Sequence, residues 1–73
     1  MATLAQMQIL EEKIETLIQM TSVTDVVAAL ASVCWNKARH IENNWKEKDS
    51  AAAWDGTGYG LMNGWAIAKR NGI

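Results

Sequence analysis

The sequence predicts an all-α fold, a small antiparallel three-helix bundle with helices over about residues 3–20, 23–47 and 50–70. Three observations predict it. Proline is absent, while Ala, Leu, Glu, Lys and Gln, the residues that lose least on entering a helix, are plentiful. Apolar residues recur at spacings of three and four through each segment, which places them on one helical face. Capping-type residues at 21–25 and at 48–50 mark two breaks, and these divide the chain into three.

The first element runs from about Thr3 to Met20. Met7, Leu10, Ile14, Leu17 and Thr21 alternate in spacing as heptad a and d positions do, and Ile18 widens the stripe. Glu11, Glu12, Glu15 and Lys13 flank or oppose it, giving this helix a charge of −3 + 1 = −2. Two heptads are too few for a free-standing coiled coil. The stripe therefore packs on the second helix or forms a seam with another copy. Ile9 and Met20 on the opposite face favour a second buried surface.

Thr21–Asp25 is the first break. Ser22 and Thr24 are both good N-caps, and Ser22 places Asp25 where the free N–H groups and the dipole of a new helix favour a carboxylate. With no glycine or proline, the bend should be tight and the two helices antiparallel.

The second helix carries the longest periodic run, Val23–Trp45, with the only cysteine and the only histidine. Its main stripe is Val23, Val27, Leu30, Cys34, Ile41 and Trp45. Opposite lie Ser32, Asn36, Arg39, Asn43 and Lys46, with Glu42 and Lys46 spaced as a favourable surface pair. Ala28, Ala29, Ala31 and Ala38 keep one flank thin enough for a neighbouring helix to approach closely. Trp35 lies on that flank, off the main stripe, and needs a cover of its own. The flank Ala28–Ala31–Trp35–Ala38 is thus the expected docking face for a partner.

Lys48-Asp49-Ser50 marks the second break, with Asp49 or Ser50 as the expected cap of the third helix. Asp55-Gly56-Thr57-Gly58-Tyr59-Gly60 has the chemistry of a turn. Against that, Trp54, Gly58, Leu61, Trp65 and Ala68 hold a 4-3-4-3 register across it, leaving Gly56, Gly60 and Gly64 as a second, bare face. Interior glycines cost about 1 kcal/mol each relative to alanine. The unbroken register favours a continuous or kinked helix, with a kink or loop at 56–60 as the alternative. Lys69 and Arg70 suit a last turn, Asn71-Gly72 a left-handed C′ position, and Ile73 the apolar contact beyond it.

Length and charge bound the function. Seventy-three residues make one domain, 1–73, near the lower limit for burying an adequate core, and such chains usually rely on a disulfide, a metal or association. One cysteine excludes an internal disulfide, and Cys34 with His40 makes no zinc-binding set. Association remains, and a homodimer is expected. A net charge of −1 gives no nucleic-acid footprint, and no apolar run approaches a membrane span. MATLAQMQILEEK lacks the charged and apolar regions of a signal peptide, so a reducing, cytoplasmic setting is expected.

No constellation points to catalysis. His40 has Asn36 and Asn44 one turn away and lacks a carboxylate and a nucleophile on its own helix, which suits a structural hydrogen bond better than a general base. Cys34 lies mid-stripe, where a thiol packs as a small hydrophobe. Lys37 interrupts the apolar side, and its ammonium is expected to meet Glu11 or Glu15 or to snorkel to water. The glycine segment matches no phosphate-binding pattern. No catalytic, cofactor-binding or metal-binding residue is assigned.

Four tryptophans and Tyr59 exceed what so small a core readily holds. The sequence thus favours a non-enzymatic interaction protein, an adaptor or inhibitor, that acts by helical surface docking as a homodimer. Met7, Leu10, Ile14, Leu17, Ala31 and Trp35 are its self-association candidates. The alternative is a small-molecule module with a pocket lined by Trp45, Trp54, Tyr59 and Trp65 near the glycines, with His40 in the same ligand or partner patch.

Overall fold

The computed structural model, which describes all residues 1–73, folds as three helices with no strand: α1 (Leu4–Met20), α2 (Val23–Asn44) and α3 (Lys48–Arg70). The start of α1 is set by a reciprocal capping box. The Gln6 N–H donates to Thr3 Oγ1 at 3.1 Å, while the Thr3 N–H donates to Gln6 Oε1 at 2.8 Å. Its end is held by Thr21, whose N–H and hydroxyl both donate to the Leu17 carbonyl. Ser22 caps α2, its Oγ accepting from the Asp25 N–H at 3.0 Å. Thr24, the other expected cap, sits inside the first turn.

The second turn departs from expectation. Helix α2 stops at Asn44, and the N–H groups of Trp45 and Lys46 both donate to the Ile41 carbonyl. Lys46 adopts a left-handed backbone, φ 54°, which reverses the chain within two residues and brings α3 in at Lys48 rather than residue 50. The cap is therefore Glu47, not Asp49 or Ser50; its carboxylate accepts from the Ser50 hydroxyl at 3.4 Å and from no backbone N–H of the helix. Asp49 instead lies in the first turn, where its charge suits the dipole.

Helix α3 is continuous through residues 56–60, so the glycines make neither a loop nor a break. It ends as its last residues predict. Gly72 is left-handed at φ 74°, the Ile73 N–H donates to the Ala68 carbonyl, and the Gly72 N–H donates to that of Lys69. The Ile73 carbonyl then accepts from the Thr24 N–H at 3.3 Å, joining the end of α3 to the first turn of α2.

The core is the α2–α3 seam, built from small side chains. Ala31, Cys34 and Ala38 of α2 and Ala51, Gly58 and Ala68 of α3 are its buried residues, flanked by half-buried Val27, Trp35, Ile41, Leu61 and Trp65. On α3 this is the expected register. Helix α2 presents Ala31, Trp35 and Ala38 of the alanine flank to α3 together with Val27, Cys34 and Ile41 of the main stripe, and leaves the stripe's Leu30 and Trp45 outside. Leu30 remains 48% exposed and Trp45 68%. The cause is a size match between the helices. Gly58 leaves a recess that the Trp35 ring fills, and Tyr59 meets that ring edge-on, with centroids 5.4 Å apart.

Helix α1 stands apart from this pair. It packs on α2 alone, turns from it through a bend of 119°, and buries none of its own residues. The fold is therefore the expected all-α three-helix bundle, in which α2 and α3 form the packed core and α1 opens away from them. No single helix is long and apolar enough to cross a membrane.

Candidate interaction groove

Between α1 and α2 the open angle forms an apolar groove of about 500 Å³. Leu10, Ile14 and Leu17 form one wall, and Val26, Ala29, Leu30 and Val33 the other, with Thr21 and Asp25 at the elbow. The α1 wall follows from the heptad spacing, which puts Leu10, Ile14 and Leu17 on one face over two turns. The α2 wall lies to one side of the seam, on a face that α3 cannot reach. Val33 is 50% exposed, so its apolar surface is open to solvent rather than shared with α1. Past Val33 the same face of α2 turns polar, where Asn36, Lys37 and His40 line a shallow hollow.

The electrostatics differ between the walls. Helix α1 carries Glu11, Glu12 and Glu15 against Lys13, whereas the groove side of α2 carries Asp25 at the elbow and Lys37 past Val33, with Arg39 turned toward α3 beside Ala51 and Asp55. Arg39 donates to Asn36 Oδ1 along its own helix, and Lys37 is exposed beside the groove's mouth.

The expected self-association residues divide into two sets. Leu10, Ile14 and Leu17 line the groove, and Met7 continues their stripe, exposed, toward the tip of α1. Ala31 and Trp35 do not belong with them. Ala31 has no exposed surface and Trp35 is seated over Gly58, so the chain's own third helix covers the flank expected to receive a partner. Sequence reasoning passed over Val26 and Val33. The signal was present, because Val26, Ala29, Leu30 and Val33 repeat at helical spacing, but the parallel stripe one arc away masked it.

The aromatic patch is dispersed. Tyr59 meets Trp35 edge-on, Trp65 lies under the Lys69 ammonium at 4.7 Å, and Trp54 borders a shallow hollow with Ala53 and Thr57. Trp45 stands exposed at the far end of α2. These positions do not converge on a shared pocket. His40 is an exposed, locally bonded side chain: the Asn44 amide donates both to its Nδ1, at 3.1 Å, and to its carbonyl, at 3.0 Å. Cys34 is a free thiol buried in the seam, away from any base. No three His, Cys, Asp or Glu side chains come together as metal ligands.

What this surface can do chemically is exclude water from an apolar group, with Lys37 beside its mouth and Asp25 at its elbow. No protein-family model, curated protein or solved structure matches the chain.

Proposed function

We propose that the protein is a non-enzymatic interaction module, an adaptor or inhibitor, which receives an amphipathic helix in the α1–α2 groove. One observation carries the reading: two apolar helix faces meet at the elbow and diverge, leaving Leu10, Ile14, Leu17, Leu30 and Val33 without a covering element. Helices dock into such grooves through anchors spaced three and four residues apart. The groove's apolar lining suits such anchors.

A photo-reactive benzoylphenylalanine in place of Leu30 tests this, with the same group at Trp54 as the control position. Cross-linking at Leu30 should map to the apolar face of a docked helix and should exceed that at Trp54. Equal or absent cross-linking at Leu30 removes the groove as a docking site.

A further inference from the structure

Asp55-Gly56, Asn63-Gly64 and Asn71-Gly72 are exposed pairs in which a short carboxyl or carboxamide side chain precedes a glycine. Glycine in second place leaves its backbone nitrogen unshielded by a side chain. That nitrogen can reach the side-chain carbonyl carbon of the residue before it and close a five-membered imide. Sequence and exposure do not separate the three pairs, but the backbone does. Asp55-Gly56 and Asn63-Gly64 lie inside α3. There each glycine N–H is held by the carbonyl four residues back, and turning the chain toward ring closure would break the helix on both sides. Asn71-Gly72 lies in the turn beyond Arg70, with Asn71 at ψ 3° and Gly72 at φ 74°.

We infer that Asn71 is a site of spontaneous covalent modification, deamidated through a cyclic imide with Gly72, while α3 protects Asn63 from the same reaction. The Gly72 nitrogen gives up its proton to solvent base and bonds to Asn71 Cγ. The Cγ–Nδ2 bond breaks, and Nδ2 takes up a proton from water and leaves as ammonia. A water molecule then adds to one of the two imide carbonyls and opens the ring. Opening on one side leaves an aspartate, and opening on the other leaves an isoaspartate, in which the main chain runs through Cγ. The net change exchanges an amide nitrogen for a water oxygen, with no electron transferred.

The bonds that resist ring closure at Asn71 belong to the cap alone. Its side-chain amide donates to the Ile67 carbonyl at 2.8 Å, and the N–H groups of Gly72 and Ile73 donate to Lys69 and Ala68 at 3.2 and 3.0 Å. These can open without unwinding α3, as helix ends do far more often than helix interiors. The product disturbs the same cap. It loses the amide donor to Ile67 and places a carboxylate at the negative end of the helix dipole, taking the net charge to −1 − 1 = −2. Isoaspartate also lengthens the backbone ahead of Gly72 and Ile73. The Ile73 carbonyl, which accepts from the Thr24 N–H at 3.3 Å, is thereby drawn out of place, and the tie between the end of α3 and the start of α2 opens.

Ageing of the full chain in mildly alkaline buffer tests this, with peptide mapping by fragmentation that separates asparagine, aspartate and isoaspartate. A parallel sample is aged in urea. In the native chain Asn71 should convert roughly tenfold or more faster than Asn63, because the helix interior opens less often than its end. In urea the two sites should convert at similar rates. Alkalinity should speed the native reaction at Asn71. Asn71→Gln, which would need a larger ring, should abolish conversion at that position and leave Asn63 as it was. Amide exchange should show Thr24 less protected in the converted chain than in the fresh one. Equal native rates at Asn71 and Asn63, or an Asn71 that persists while Asn63 converts, overturns the inference. Unchanged Thr24 protection after full conversion overturns the loosening of the α3 end.

Discussion

At the scale of single residues, Gly58 and Trp35 decide how the core is assembled. A Cβ at position 58 would stand 2.7 Å from Trp35 Cδ1 and 2.9 Å from Cε2, with Nε1 in the way as well. A rigid indole ring cannot yield as a flexible side-chain end would. Gly58→Ala gains about 1 kcal/mol of helix propensity but forces overpacking that costs about 1–3 kcal/mol. The expected outcome is a net loss, read as a lower urea midpoint. An unchanged or higher midpoint would show that Trp35 does not occupy the recess. The Trp35 indole N–H is buried without a hydrogen-bond partner. Such a donor costs about 1–3 kcal/mol, so it is the shape of the ring, not its polar tip, that suits the seam.

At the scale of elements, α3 shows two faces made of the same residue type with opposite meaning. Around Gly56, Gly60 and Gly64 an added Cβ meets nothing within 4 Å. Replacing any one of them by alanine should stabilise the folded chain by about 1 kcal/mol through helix propensity alone. Chemical denaturation of the three single variants checks this, and a loss of stability in any of them would mean that the bare face is covered in solution. The contrast with Gly58 was legible in the sequence, because the 4-3-4-3 register separates it from the other three. The Ser22 cap and the left-handed ending at Gly72 were legible for the same reason: each is fixed by a few neighbouring residues. The burial of the alanine flank of α2 was not. Two apolar stripes run side by side on that helix, and the fit of Trp35 over Gly58, 23 positions away in sequence, brings the alanine flank into the seam beside Cys34 while Leu30 stays outside. The angle of α1 was equally hidden. It depends on the backbone of Thr21, at φ −129° and ψ −105°, which no periodicity encodes. The groove was therefore half visible, in Leu10, Ile14 and Leu17 but not in Val26 and Val33.

At the scale of the molecule, the opening of α1 sets the shape. The radius of gyration is 14.1 Å and the extents are 38 × 32 × 16 Å. A compact chain of this length would have a radius of about 11 Å. Small-angle scattering of the chain, extrapolated to zero concentration, should therefore give a radius nearer 14 than 11 Å. A value near 11 Å would show α1 folded down onto the other helices. Burial follows the same division, since every buried residue lies on α2 or α3. The elbow at Thr21 and Ser22 also makes α1 a lever. Its 17 residues form an arm of about 25 Å, so a rotation of about 10° at the pivot carries Leu4 through about 4 Å. Small backbone changes at two residues are thus magnified at the tip, and whatever holds that tip also fixes the angle at its root.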